Sequence, residues 1–370
     1  MKKFILYIPF FNFTKYHLFK DPGGILRGFR DLGYKSSIIS GKFDVNAADM
    51  LNGIKCYETG LTYIKKPILD NAKEIIHVLK LLIKEKPDIF LFYNHSNMVV
   101  LVLIPLYRLS VIFFNLHTKI YMKMDSDGSS FKKANFVKKP FLYLLNLFLG
   151  IFIDRVIIEN SCGYKVYKSI FTYNKKLKII PNGVSDELLY NAAKFKRRPN
   201  IISVSRITPS KGIDILIKAY SNIALKFPDW KLLLVGPVED KKYYKVLNGM
   251  IKDLGLKGRV KFLGAIGEDQ LKILYLKSSI YCLCSREESF SIARLEALVL
   301  GLYVISTPAG CGSDLKKYGV KLVPYNNILK ISAEIEKAIV YKNKMPPRIN
   351  LSDKMYGFSY TYIAGSIAKM

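Results

Sequence analysis

The run Ile280-Tyr281-Cys282-Leu283-Cys284-Ser285, then Glu288-Ser289-Phe290-Ser291-Ile292-Ala293-Arg294-Leu295-Glu296-Ala297-Leu298 and Gly301, sets the reading of the whole chain. Its first part is an apolar strand that ends in a short polar loop, and its second part is a helix. Glu288 stands in the loop and Glu296 eight residues later in the helix. That spacing is a little over two turns, so both acids can face one side. In an open α/β fold, the loop after a strand lies at the carboxyl edge of the sheet, where ligands bind. Two carboxylates there suit a polyhydroxylated ligand, because each accepts hydroxyl hydrogen bonds at both oxygens. An isolated pair of acids at this spacing is ordinarily a solvated pair on a surface helix. The flanking sequence decides against that reading.

Working outward, Ser203-Val204-Ser205-Arg206 leads through Lys211-Gly212-Ile213-Asp214 to Leu216-Ile217-Lys218-Ala219, another strand, turn and helix. Pro181-Asn182-Gly183-Val184 precedes it. Leu232-Leu233-Leu234-Val235-Gly236, Val260-Lys261-Phe262-Leu263-Gly264 and Val304-Ile305-Ser306-Thr307 follow. This ordered set, over roughly residues 178–315, resembles the retaining glycosyltransferases of the two-domain B-type fold, specifically their large family 4 (group 1). The N-terminal half matches that family only in outline. The resemblance implies an α/β chain with two Rossmann-like domains facing each other across a cleft. It places an acceptor-binding domain at 1–180, a nucleotide-sugar-binding domain at 181–348, and a C-terminal helix at 349–370 crossing back to the first domain.

Bulk properties agree with two globular domains. The chain has 370 residues, half of them apolar and 24% charged, enough to bury two cores. Its formal net charge of +29 points to an anionic partner: nucleic acid, anionic lipid or a phosphorylated substrate. No zinc-finger spacing or aromatic RNA-binding signature supports nucleic acid. Cys282 and Cys284 alternate with Leu283, so they point the same way, but no His or Cys group completes a metal set. They read as buried free thiols. Met1–Ile8 begins like a signal peptide, yet Pro9 and Phe10-Phe11 cut the apolar run short and no small-residue cleavage site follows. It reads as the first strand of a parallel sheet, in a cytoplasmic protein.

In the N-terminal half, a loop through Asp21-Pro22-Gly23-Gly24 leads to a helix at Ile25–Leu32 and a strand at Ser36–Ser40. A glycine pair there permits close approach of backbone to a ligand, and the helix start offers free amides to an anion. A further strand is expected at Ile89–Tyr93. Residues 98–116 are apolar except Arg108 and Asn115 and long enough to span a bilayer. Arg108 near the centre would cost about 3 kcal/mol, and Pro105 would disrupt the helix. A buried helix broken at Pro105 is expected instead. Ile120–Met124 is the next strand, followed by Asp125-Ser126-Asp127-Gly128. The apolar run 141–153 is too short to span and suits a helix in the core or in a membrane interface. From 131 to 178 there are ten Lys or Arg against Asp154 and Glu159. At about 1 kcal/mol per basic residue near anionic lipid, the expectation is peripheral attachment to the inner face of the cytoplasmic membrane.

Transfer from a nucleotide-activated sugar needs stabilisation of the departing diphosphate. Arg206 and Lys211 supply two cations, five residues apart across a strand-to-helix turn. With those cations in place no metal or other cofactor is expected. Amides near Ser291 and Ile292 add phosphate contacts. The resemblance implies that Glu296 binds the ribose hydroxyls and Glu288 the donor sugar, with Gly236 and the Gly23-Gly24 turn also at the donor. It further implies retention of configuration, with the leaving phosphate helping to deprotonate the acceptor. This chain has Glu288-Ser-Phe-Ser where many relatives have Glu-Gly-Phe-Gly. It also offers Asp125 and Asp127 where many carry a histidine, and these rank above His117 and His95 as the residues meeting sugar or acceptor. Three rivals stand beside this reading. Asp-x-Asp at 125–127 is also how A-type transferases hold a divalent metal. A nucleotide-sugar epimerase shares the architecture. A non-catalytic lipid- or polyanion-binding protein on the same fold would explain the charge but not the intact motifs. The expected donor is a UDP- or GDP-sugar, and the expected acceptor a lipid-linked sugar or glycolipid of bacterial surface polysaccharide assembly.

Overall fold

A computed structural model describes residues 1–18, 20–44, 51–61, 68–93, 98–124, 144, 147, 148, 150–169, 171, 173–190, 196–342 and 355–370. The first sheet grows from β1 (Lys3–Phe13), an apolar run buried from Phe4 to Ile8. Next come the short α1 (Lys15–Leu18), α2 (Asp21–Asp31), β2 (Lys35–Phe43), β3 (Lys55–Glu58), α3 (Ile68–Glu85) and β4 (Ile89–Tyr93). α4 (Met98–Phe113), β5 (Lys119–Met124), β6 (Arg155–Ile158), α5 (Ser161–Lys168) and β7 (Leu177–Ile179) complete the set. The strands are all parallel, in the order β3-β2-β1-β4-β5-β6-β7. Burial of both faces explains why these strands read as continuous apolar runs and not as alternating ones. One face packs on α3, α4 and α5 through residues such as Val78, Leu103 and Tyr167. The other packs on α2 and on the last helix of the chain.

The second sheet follows α6 (Asp186–Tyr190) and has its own core. It comprises β8 (Asn200–Val204), α7 (Ile213–Ala224), β9 (Lys231–Val235), α8 (Lys241–Asp253), β10 (Val260–Gly264), α9 (Glu268–Lys277) and β11 (Ile280–Leu283). α10 (Ile292–Val299), β12 (Tyr303–Ser306), β13 (Lys321–Leu322) and α11 (Ile328–Lys342) follow. Its order is β10-β9-β8-β11-β12-β13, again parallel. The chain divides into two units, Met1–Ser185 with Gly357–Met370, and Asp186–Tyr356. α12 (Tyr360–Ala368) belongs to the first unit and lies against α2.

Each sheet changes winding direction once, between β1 and β4 in the first and between β8 and β11 in the second. Ligands of open α/β sheets bind outside the carboxyl ends of the strands at such a switch point. In the second unit those carboxyl ends lead into the Arg206–Lys211 turn and the Ser285–Glu288 loop.

Two expectations need correction. The Gly23-Gly24 pair lies inside the first turn of α2, which begins at Asp21, four residues earlier than expected. Pro22 is placed where a helix start tolerates proline. A Cβ on Gly23 would lie 2.1 Å from the Leu18 carbonyl oxygen, and one on Gly24 would lie 2.2 Å from the Tyr360 ring. The absent side chains thus make room for the protein's own α1 and α12. The second correction concerns residues 98–116. Helix α4 runs through Pro105 without a break, and only one of its sides is buried. Among the described residues no helix is long and apolar enough to cross a membrane. Residues 141–143, 145, 146 and 149 of the run 141–153 lie outside the described residues, as do Asp125, Asp127 and His95.

Candidate active site

β8 ends at Val204, and the turn that follows holds Arg206 and a single 3-10 turn, Pro209–Lys211. Gly212 then starts α7 in the left-handed conformation, φ +62°. A Cβ there would lie 2.0 Å from the Cys284 carbonyl oxygen, so the turn after β8 sits directly on the end of β11. Arg286 locks the same contact from the other side. Its backbone N–H donates to Ser210 O at 2.8 Å, and its guanidinium donates to Pro209 O and forks onto Asp214 at 3.2 and 2.9 Å. Burial pushes the Asp214 carboxyl up, but the Arg286 and Tyr243 hydrogen bonds outweigh it and hold the group below its ordinary range. Gly212→Ala is expected to lower unfolding stability by about 1–3 kcal/mol from the left-handed backbone alone. A urea midpoint equal to that of the parent would contradict the packing.

This scaffold brings Lys211 to Glu288 across 77 residues of sequence: Nζ donates to Oε1 at 2.8 Å. The side chains are only 12% and 11% exposed. Ser285 Oγ donates to the same oxygen at 2.7 Å. Arg206 takes a different partner, Glu239 at 2.9 Å, in an exposed pair that contributes little to stability. Gly236, at the end of β9, has φ +141°, and a Cβ on it would lie 1.9 Å from Ser205 O. It lets the β9 loop close on the turn that carries Arg206.

Ser291, at φ +70°, leads into α10, whose opening residue is Ile292. The first amides of a helix have no intrahelical acceptor, so this end favours an anion. Glu296 lies on α10 and accepts from Tyr275 Oη of α9 at 3.2 Å. Glu288 and Glu296 thus have separate protein partners within one unit.

Sequence reasoning missed three residues that set this geometry. Ser285 and Tyr275 hold the two glutamates. Arg294, fully buried, donates to Phe290 O (2.6 Å), Ala309 O (2.8 Å), Gly310 O (3.0 Å) and Ser306 Oγ (3.1 Å). It thereby staples the Glu288 loop to the loop after β12. Burial pulls its pKa down, and Tyr281, Glu288 and Asp314 oppose that shift. The available signal was an arginine between Ala293 and Leu295 on a helix whose other residues, Glu296 apart, are apolar. Cys282 and Cys284 are buried free thiols with sulfurs 3.9 Å apart.

The first unit carries its own buried polar cluster at the carboxyl edge. Lys123, near the end of β5, reaches Asp21 Oδ2 at 3.0 Å, Glu159 Oε1 at 3.3 Å and Asn182 Oδ1 at 2.6 Å. Tyr93, the last residue of β4, donates its hydroxyl to Asp21. His117 is exposed on the opposite, amino-terminal side of β5, away from this cluster.

Comparisons with known proteins bear on this arrangement. Residues 186–350 match the family model described as glycosyl transferases group 1. An uncharacterized glycosyltransferase of Haemophilus influenzae is 28% identical over 154 residues, 41% of this chain and 41% of its own length. The chain therefore spans less than half of that relative. An uncharacterized glycosyltransferase of Methanocaldococcus jannaschii is 26% identical over 302 residues, 74% of this chain and 72% of its own. Among solved structures, Anabaena HepE in complex with UDP superposes with a TM-score of 0.73 at 18% identity, covering 100% of this chain and 99% of that one. At that identity the likeness concerns the fold.

Proposed function

From the premise that residues 186–350 make this chain a member of the group 1 glycosyl transferases, we propose that it moves a sugar from a UDP- or GDP-sugar to a lipid-linked or glycolipid acceptor. The transfer retains anomeric configuration. The observation that supports this reading best is the Lys211–Glu288 contact at the switch point of the second sheet, beside the start of α10.

Negative charge builds on the diphosphate as the glycosidic bond breaks. Lys211 acts there as a point charge and Arg206 as a fork that chelates phosphate oxygens, with the amides at Ser291 and Ile292 adding donors. Such fixed donors act most strongly where charge develops. Glu296 accepts from the ribose hydroxyls, and Tyr275 holds its carboxylate in place. Glu288, oriented by Lys211 and Ser285, accepts from hydroxyls of the donor sugar. The leaving phosphate takes the acceptor proton, and Asp125 or Asp127 faces the sugar or the acceptor. The basic, apolar first unit supports an acceptor carried on lipid at an anionic membrane surface, as in bacterial surface polysaccharide assembly.

The test is thermal shift of the purified chain with a panel of nucleotide sugars, with and without EDTA. Stabilisation by one UDP- or GDP-sugar that survives EDTA is expected, and it names the donor. Stabilisation lost in EDTA would move the diphosphate contact to a metal at Asp125 and Asp127. No response to any nucleotide would count against the transferase reading.

A further inference from the structure

Helix α4 is apolar on both of its sides. The inner side, with Leu103, Ile104 and Tyr107, is fully buried against the sheet. On the outer side Val102, Leu106, Leu109 and Phe113 recur at spacings of four, three and four, with Ile112 beside them. All five are exposed, Ile112 at 69% and Phe113 at 83%. A helix that packs on a sheet ordinarily turns polar residues to water. The two polar candidates here are tied up in hydrogen bonds within the protein instead. Arg108 donates to Phe152 O at 2.9 Å and to Asp154 at 2.5 Å, and Ser110 Oγ donates to Leu106 O at 2.9 Å.

The same Arg108 contacts bring α4 alongside the helical residues before β6. There Leu144, Phe148 and Ile151, again four and three apart, are exposed. The outer side of α4 and these helical residues beside it thus present apolar side chains outward, the kind of exposed cluster that marks an interaction surface. The next crossover, α5 to β7, packs on the same face of the sheet and exposes Lys165, Lys168, Lys175 and Lys178. Residues 160–185 contain no Asp or Glu at all. From 86 to 185 there are fourteen Lys or Arg against five Asp or Glu.

We propose that this face, centred on the outer side of α4, seats the chain on an anionic lipid bilayer. The apolar side chains enter the boundary between headgroups and acyl chains, and the lysines of α5 and β7 lie against lipid phosphates. The helix lies on the membrane and does not cross it. Charge selects this occupant over a second copy of the chain, since pairing two such faces would set lysines against lysines in a molecule of net charge +29. The surface deepens the proposed function, because a lipid-linked acceptor would be met there, but lipid binding can be read without any transfer.

The full chain is spun with phosphatidylcholine vesicles, with or without about 30% phosphatidylglycerol. Binding to the anionic vesicles alone is expected, weakened by added salt. The double variant Leu109→Glu/Phe113→Glu should weaken it at least about tenfold, and so should Lys165→Glu/Lys168→Glu. Both variants should keep the parent's thermal unfolding and its shift with nucleotide. Parent-like vesicle binding by the α4 variant, or no binding by the parent, would overturn the proposal. So would a parent dimer that the α4 variant dissolves. Loss of the nucleotide response with vesicle binding intact would count against the transferase reading alone.

Discussion

Lys211→Ala is expected to lower transfer by about 10²–10³-fold, the loss typical of removing one donor aimed at developing negative charge. An ammonium has three N–H groups, and the bond to Glu288 at 2.8 Å uses one of them. The same contact fixes where the charge points before any donor arrives, so little reorganisation remains for the transition state. After the substitution Glu288 keeps its bond from Ser285, and its side chain is not wholly sealed from water. Unfolding stability should therefore change far less than rate. Glu296→Ala should also abolish transfer with the fold intact, since the carboxylate removed is the one that would accept from the ribose hydroxyls. Steady-state kinetics beside a thermal melt separate these expectations from a folding defect. Full activity in either variant would remove the role assigned to that residue.

The second large effect belongs to the first unit and concerns stability. Lys123 and Glu159 are each 1% exposed at the side chain, and Asp21 is 7% exposed. The lysine stands between two carboxylates. Lys123→Met would leave both acids buried with that cation gone, and breaking a buried pair in this way costs about 3–5 kcal/mol. For a unit of this size that is a fall of roughly 6–20 °C in melting temperature. Asp21→Asn should cost much less, because one acid and one base remain facing each other. Equal falls in the two variants would show that charge balance is not what the cluster supplies.

The readable parts of the sequence were local. A strand at Ile89–Tyr93 could be placed to the residue because an unbroken apolar run begins after Pro87-Asp88. The strand, loop and helix around Glu288 carried their order on their face. Pairs made across the fold could not be read this way. Lys211 and Glu288 are 77 residues apart, and Lys123 and Asp21 are 102 apart, so no local pattern joins them. The glycine pair misled for a physical reason. Glycine serves close approach of any neighbour, and at positions 23 and 24 the neighbours are Leu18 and Tyr360 of the chain itself. Helix α4 misled for another. An apolar helix reads the same whether its second side meets protein or not, and only the packed structure shows that, among the described residues, the second side is left exposed.

The last fourteen residues complete a unit begun by the first 185. Tyr360 fills the space beside Gly24, and the backbone of Val184 bonds to Phe358 and Tyr360 on either side of Ser359. During synthesis the ribosome therefore delivers every residue of the second sheet before the first has its last helix. The later-made half is the earlier one able to finish folding, while the opening half waits with its α2 surface uncovered. A nascent chain stalled before Tyr360 would hold one finished unit and one that a chaperone or protease could still engage.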